Sequence, residues 1–165
     1  MIKLLLAFTF SLHTFQVADD RCEERKTEIV EILRTEGVRD ADFFYYLPLA
    51  ESRCKDSAES RAGARSMWQM MPWLIRRRDV TDWRLMTKIA AQYIASIQKR
   101  LIDIPPSDKN WFTVAAWNTG LTNMRRVCQP LTKQCVRKQL PAAAALANTV
   151  TDYYAFDQEN SRTGI

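Results

Sequence analysis

The apolar residues between Met86 and Leu101 constrain the fold more than any other part of the sequence. They recur at intervals of three and four residues, which places them on one face of an α-helix. The members of this face are Met86, Ile89, Ala90, Tyr93, Ile94, Ile97 and Leu101. Because a continuous apolar face must be covered by other parts of the chain, the pattern predicts a buried central helix that ends near Ile104, before Pro105 and Pro106.

The rest of the sequence also carries helical signals, and no stretch of any length alternates apolar and polar residues as a half-buried strand would. A first further helix is predicted over Arg21–Glu36, and a second begins at Asp40 or Asp42, as the cap, and runs to about Ser52. The other predicted helices are Trp68–Arg77, Asn110–Trp117, Leu121–Cys128 and Pro141–Phe156. Pro48 lies inside the second of these helices and should bend it, because proline removes a backbone hydrogen bond. The predicted fold class is mainly α.

Residues 1–18 have the features of a secretory signal peptide. Lys3 gives a basic start, Leu4–Leu12 is mainly apolar, and Ala18 precedes two aspartates. The apolar part is too short for a membrane span, which needs roughly 20 residues; a permanent anchor is the alternative. We therefore expect residues 19–165 to form one soluble, exported domain, located in the periplasm or secreted from a bacterial cell.

The cysteines of the chain form an even set of four, Cys22, Cys54, Cys128 and Cys135. In an oxidising compartment, an even set favours two disulfides over a metal site. The favoured pairing joins Cys22 to Cys54 and Cys128 to Cys135, although three pairings are possible and the sequence does not choose among them. No metal ion or other cofactor is expected.

Histidine is absent from the predicted mature chain, because His13 lies in the signal peptide. This excludes a Ser-His-Asp triad, a Cys-His pair and histidine-bound zinc. Loss of Lys3 lowers the net charge from +5 to about +4, which suits a polyanionic partner such as cell wall, nucleic acid or anionic lipid. The basic residues are dispersed apart from Arg76-Arg77-Arg78 and form no groove-reading motif, so nucleic acid is not the expected partner.

Glu51 follows a run of eight uncharged residues, Phe43–Ala50. Apolar surroundings disfavour the charged form of a carboxyl group and raise its pKa. A glutamic acid that stays protonated near neutral pH can donate a proton to a reacting group. The sequence therefore indicates Glu51 as a candidate general acid, and the alternative is a surface or ion-paired glutamate at a helix end.

Several short segments around Glu51 resemble, in order and spacing, the active-site signature of soluble and membrane-bound lytic transglycosylases. These segments are Glu51-Ser52, Ser60, Gly63-Ala64, Met67-Trp68-Gln69 and Met71-Pro72. The later segments that resemble the family are Asp82-Trp83-Arg84, Tyr93-Ile94 and Ala115-Ala116-Trp117-Asn118-Thr119-Gly120. The resemblance covers about Phe43–Arg126, with a weaker tail to Tyr154. The run Phe43–Ala50, in which Pro48 precedes Glu-Ser, is most similar to membrane-bound members of type D.

The resemblance implies a lysozyme-like fold and a peptidoglycan substrate, cleaved at the β-1,4 bond between N-acetylmuramic acid and N-acetylglucosamine. It implies that Glu51 acts first as an acid and then as a base toward the muramic acid C6 hydroxyl, which leaves a 1,6-anhydromuramic end and consumes no water. The residues that it implies for substrate binding are Ser60, Gln69, Met71, Trp117, Asn118 and Tyr154. Each of these six also has a structural alternative, as a turn cap, a hydrogen-bonding group or a core residue.

Three residues depart from the family pattern. Ser66 replaces a glycine at a position where a positive φ is expected. Trp117 replaces the usual tyrosine, which keeps an aromatic surface but loses a hydroxyl group. Val150 replaces a glutamate in the segment that ends at Tyr154. These substitutions bear on the geometry of the sugar-binding subsites more than on the reaction.

Other functions compete with transglycosylation. A muramidase that hydrolyses the same bond would need a second carboxylate, for which Asp79 and Asp82 are candidates; Asp82 is instead expected to cap the helix that begins at Trp83. A non-catalytic peptidoglycan-binding homologue and an unrelated four-cysteine secreted helical protein are the further alternatives. The small size suits a local task in a secretion, conjugation or wall-remodelling assembly.

Overall fold

The computed structural model describes residues 21–163, and most of them lie in helices. In chain order the helices are α1 (residues 21–35), α2 (Ala41–Phe44), α3 (Tyr46–Ser52), α4 (Pro72–Ile75), α5 (Trp83–Arg100), α6 (Pro106–Thr119), α7 (Leu121–Val127), α8 (Lys133–Gln139) and α9 (Pro141–Thr163). Between residues 21 and 163, β structure is limited to two isolated bridges, which pair Arg65 with Glu59 and with Met70. The mainly α prediction is therefore confirmed. The predicted signal peptide lies outside the described residues.

The central helix α5 begins where the sequence predicts. Asp82 is its N-cap, and its carboxylate accepts a hydrogen bond from the backbone N–H of Leu85 at 3.0 Å. The apolar face is buried as expected, except that Tyr93 is half-buried. The helix ends at Arg100, earlier than predicted, and Pro106 is the first residue of α6. Proline is well tolerated there, because the first N–H of a helix has no partner within the helix.

The predicted second helix is two short helices, α2 and α3, which meet at Tyr45. The break follows Phe44, which lies four residues before Pro48, so that its carbonyl loses its helical partner and meets the proline ring. The prediction that an aspartate side chain caps this helix is wrong. Asp40 occupies the N-cap position with φ 56° and makes no capping bond; its carboxylate accepts instead from the Asn110 side chain at 3.0 Å. Asp42 lies inside α2.

Both predicted disulfides are present. Cys22–Cys54 joins α1 to the chain just after α3, with the Cα atoms 5.5 Å apart. Cys128–Cys135 joins the end of α7 to α8, with a Cα separation of 5.8 Å. The first disulfide matters more for the site, because it fixes the position of the segment that follows Glu51.

Other helix predictions need correction. The helix expected over Trp68–Arg77 is only α4, because Ser66 and Gln69 have φ of 70° and 50°, which a helix cannot accommodate. The helix α8 was not predicted, and α9 continues to Thr163 beyond the expected end at Phe156.

The core lies where α9 packs along α6, with further contacts to α3 and α8. The largest fully buried side chains come mainly from α1 to α5 and the loop before α4, and include Trp68, Phe44, Leu33, Met86 and Ile94. Of the helices described, none combines the length and the apolar character that crossing a membrane requires.

Candidate active site

Glu51 lies in the last turn of α3, at the wall of a cleft. Its Oε1 accepts a hydrogen bond from the indole Nε1 of Trp117 at 3.0 Å. Burial raises the pKa of the carboxyl from its ordinary value of 4.5 to about 7, although the bond from Trp117 acts in the opposite direction. Close to half of such groups would be protonated near neutral pH. The side chain can therefore donate or accept a proton there.

The cleft has a volume of about 290 Å³ and gathers residues from the chain between α3 and α6. Its lining contains Glu51 and the predicted residues Ser60, Gln69, Met71, Trp117 and Asn118. It also contains Ala62, Ala64, Met70, Trp73, Leu74 and Tyr93. The structure thus brings together six of the seven predicted site residues, which come from positions as distant in sequence as 51 and 118.

One hydrogen bond holds α3 against the loop before α4, which also lines the cleft. The hydroxyl of Ser52 donates to the carbonyl of Met67 at 2.7 Å and accepts from the backbone N–H of Lys55 at 3.1 Å. Cys54, which follows shortly after, is fixed to α1 by its disulfide. The residues next to Glu51 are therefore held from two sides, which limits the positions its carboxyl can reach.

Ser60 stabilises a tight turn at the edge of the cleft. Its backbone N–H donates to the carbonyl of Ala64 at 2.9 Å, and its hydroxyl oxygen accepts from the Ala64 N–H at 3.0 Å. Gly63 allows this turn because it adopts φ 83°. The turn role considered from sequence is present, yet the hydroxyl keeps a hydrogen that can be donated to a ligand.

The loop that carries Gln69 depends on two left-handed residues. The expected positive φ at Ser66 is confirmed at 70°, and the buried hydroxyl accepts from the Trp68 N–H at 3.2 Å. Gln69, with φ 50°, donates from its side-chain amide to the Ser66 carbonyl at 3.0 Å. Gln69 therefore has a structural bond and also lines the cleft.

Aromatic rings form one wall of the cleft. The ring of Tyr93 lies 5.7 Å from that of Trp117 and 5.7 Å from that of Trp73, and Trp117 lies 6.1 Å from Trp68. Trp73 and Tyr93 were not predicted as site residues. Tyr93 belongs to the Tyr93-Ile94 segment that resembles the family, which was a usable signal in the sequence, whereas nothing in the sequence places Trp73 at the cleft.

Tyr154 is not part of the cleft lining. Its ring contacts those of Phe43 and Tyr46, with centroids 5.4 Å and 6.2 Å away. One turn earlier on α9, Val150 is fully buried. The segment that imitates the family motif is therefore part of the packing between α9 and the α2–α3 region.

No second carboxylate joins Glu51 in the lining of the cleft, as far as residues 21–163 are concerned. Asp82 is occupied as the cap of α5. Asp79 is exposed, and hydrogen bonds from the hydroxyl and N–H of Thr81 hold its pKa below the usual value. Neither candidate for a second catalytic acid therefore lines the cleft.

A comparison with protein-family models matches residues 31–134 to the transglycosylase SLT domain, which is more than half of the chain. The chain belongs to this family. The matched part of this SLT domain contains every residue of the cleft lining and ends before Tyr154. No curated protein and no solved structure gives a significant match.

Membership places the SLT domain in the lysozyme-like superfamily and supports lytic transglycosylase activity on peptidoglycan at the level of the family. Proteins with this domain act on the cell wall. The similarity to type D members stays a prediction, because the match does not resolve subtypes.

Proposed function

We propose that this protein is a peptidoglycan lytic transglycosylase that cleaves the β-1,4 bond between N-acetylmuramic acid and N-acetylglucosamine, with Glu51 as the only catalytic acid and base. The observation that carries the proposal is that Glu51 is the one carboxyl that residues 21–163 contribute to the cleft lining, with its pKa raised to about 7 by burial. Family membership supplies the class of substrate.

The first step needs an acid. Neutral Glu51 gives its proton to the glycosidic oxygen while the bond from that oxygen to C1 of the muramic acid breaks, so N-acetylglucosamine leaves with a free 4-hydroxyl group. Positive charge develops at C1 and the ring oxygen. The acetamido group beside C1 stabilises that charge.

The second step needs a base. Glu51, now ionised, accepts the proton of the C6 hydroxyl of the same muramic acid, and O6 forms a bond to C1. The product ends in 1,6-anhydromuramic acid, and Glu51 regains the proton that it donated. One group serves both steps best when its pKa lies close to the working pH, as it does for Glu51.

The remaining cleft residues would hold the sugar rings. The hydroxyl of Ser60 would donate to the acetamido group, and Gln69 and Asn118 would offer amides to ring hydroxyls. Met71, which is 40% exposed, and the ring of Trp117 provide apolar surface. Tyr154 is left out of this set, because its ring packs on Phe43 and Tyr46.

Hydrolysis of the same bond is the second candidate function. Glycosidases that use water position a second carboxylate to activate it or to attack C1. Asp79 and Asp82, the two acids considered for this task, do not line the cleft. This favours attack by the C6 hydroxyl.

We also propose that residues 1–18 direct export and are removed, so that residues 19–165 act in the periplasm or outside the cell. The cell-wall action of SLT-domain proteins supports this localisation. A task within a secretion, conjugation or wall-remodelling assembly fits a domain of this size.

Mass spectrometry of digested sacculi tests the proposed reaction. Transglycosylation yields muropeptides that are lighter by one water molecule than the reducing ends left by hydrolysis. Glu51→Gln should lower the rate roughly 100- to 10,000-fold. The matched control is Glu59→Gln, because Glu59 is an exposed acid that pairs with Arg65 and does not line the cleft.

Each competing function has its own outcome in this experiment. Reducing ends would show a muramidase. A folded wild-type protein that binds sacculi and releases nothing would show a non-catalytic binder. Full activity of Glu51→Gln, with an unchanged helical spectrum, would reject Glu51 as the catalytic group.

A further inference from the structure

Trp73 is a large apolar side chain that the fold leaves in solvent. It is 63% exposed, although it lies in α4 between Pro72, the first residue of that helix, and Ile75, which is only 1% exposed. The buried Ile75 anchors α4, and Pro72 restricts the backbone at the first residue of the helix. Tryptophan is enriched in binding surfaces, because its indole offers a large apolar face.

The indole of Trp73 also belongs to the cleft that contains Glu51. Its ring meets that of Tyr93 edge-on, with centroids 5.7 Å apart and an interplanar angle of 83°. Tyr93 in turn contacts Trp117, which binds Glu51. A continuous row of aromatic rings therefore leads from the reacting carboxyl to solvent, and Trp73 is its outer end.

Three arginines follow directly on α4. Arg76, Arg77 and Arg78 are all exposed, and none forms an ion pair with the part of the chain between residues 21 and 163. Positive charge without a partner attracts anionic ligands. Trp73 thus gives the cleft an apolar platform, and three exposed cations follow it in the chain from the third residue onward. We call Trp73 and Arg76–Arg78 the outer rim.

We propose that the outer rim is an additional glycan subsite, which stacks a sugar ring on Trp73 and binds the carboxylates of its peptide through Arg76–Arg78. The inference rests on the proposed function, because the ligand is the peptide-bearing glycan of peptidoglycan. A pyranose ring has a face of C–H groups that packs on an aromatic ring. Muramic acid carries a peptide with free carboxylates, so it meets both requirements of the outer rim.

Binding measurements in the Glu51→Gln background test this subsite without turnover. The probes are a peptide-bearing tetrasaccharide of peptidoglycan and the tetrasaccharide of N-acetylglucosamine, which carries neither a peptide nor a carboxylate. Trp73→Ala should weaken binding of both probes about tenfold by calorimetry, which corresponds to about 1.4 kcal/mol. Trp73→Tyr should recover most of this loss, because it restores a ring. The double variant Arg77→Gln, Arg78→Gln should weaken only the peptide-bearing probe.

Phe156→Ala is the matched control, because Phe156 is 67% exposed and does not line this cleft. Equal dissociation constants for Trp73→Ala and Phe156→Ala would overturn the subsite, as would the absence of measurable binding of either probe. Equal losses for both probes in the arginine variant would overturn the peptide contact. These readouts are separate from the proposed reaction, because a failure of the reaction appears as missing anhydro ends in wild-type digests.

Discussion

Replacement of Trp117 by phenylalanine tests how the proton of Glu51 is controlled. The variant keeps an aromatic ring but removes the N–H that donates to Glu51 Oε1 at 3.0 Å. That bond stabilises the ionised carboxylate and lowers its pKa, whereas burial raises it. Without the bond only burial acts, so the pKa must rise above its present value of about 7.

The size of the rise follows from the energy of a hydrogen bond to a charged group. Such a bond contributes roughly 1.5–3 kcal/mol, and one pKa unit corresponds to about 1.36 kcal/mol. The pKa should therefore increase by roughly 1–2 units. Loss of the acid form sets the alkaline limb of the pH profile of kcat/KM. That limb should move to higher pH by the same amount, because Glu51 stays protonated longer.

The assay is the clearance of a peptidoglycan suspension, followed from acid to alkaline pH. Trp117→Tyr should keep the limb near its wild-type position, because the phenol can still donate a hydrogen bond. Trp111→Phe is the matched control: it removes an indole N–H that donates to Asn148 at 2.9 Å and does not touch Glu51. A limb that stays in place in Trp117→Phe, with activity lowered equally at every pH, would refute the reasoning and leave Trp117 a purely structural role.

Two further predictions concern stability. Glu51→Gln should have a higher unfolding free energy than the wild type above pH 7, by at most about 3 kcal/mol. Folding raises the pKa of the wild-type carboxyl from 4.5 to about 7, so ionisation of that carboxyl above pH 7 opposes folding. The wild type loses this stability as pH rises from 4.5 through 7, so the two proteins should converge near pH 4 in urea titrations, and a gap independent of pH would contradict the cause. Ser66→Ala should lose roughly 1–3 kcal/mol, because the buried Trp68 N–H loses its acceptor. Ser66→Gly should lose less, since glycine relieves the positive φ; a greater loss in the glycine variant would contradict that strain.

Patterns that repeat along one helix face predicted the fold well. The apolar face of α5 could be identified because one side of that helix is buried and the other is not, which leaves a periodic pattern in the sequence. The start of α5 could be identified because aspartate, here Asp82, is a favoured N-cap residue. The loop before α4 could not be predicted in the same way. Met67, Trp68 and Met70 are buried as core residues would be, yet they lie in a turn that neither proline nor glycine marks.

The composition of the cleft was predictable to the extent that short motifs fix backbone geometry. Glu51, Ser60 and Gln69 lie on segments whose local turns bring them into the lining of one cleft, so their spacing in the sequence carries information about their positions in space. The position of Trp73 at the cleft depends on where α4 packs, and no local sequence pattern predicts that packing. Tyr154 was expected at the cleft because of a local motif, but it lies elsewhere, since Val150 is buried and that part of α9 packs in the core.

The substitution of tryptophan for tyrosine at position 117 changes what the neighbour of Glu51 can do. A phenol can donate or accept a hydrogen bond, whereas an indole N–H can only donate. Oε1 of Glu51 must therefore act as an acceptor at all times, so the proton of the neutral acid is placed on Oε2. In the proposed reaction one carboxyl releases and recovers a proton. A partner that always donates to Oε1 ensures that the same oxygen, Oε2, carries that proton each time. Burial raises the pKa of Glu51 to about 7, so that the acid form persists near neutral pH, and the bond from the indole leaves Oε2 to carry the proton.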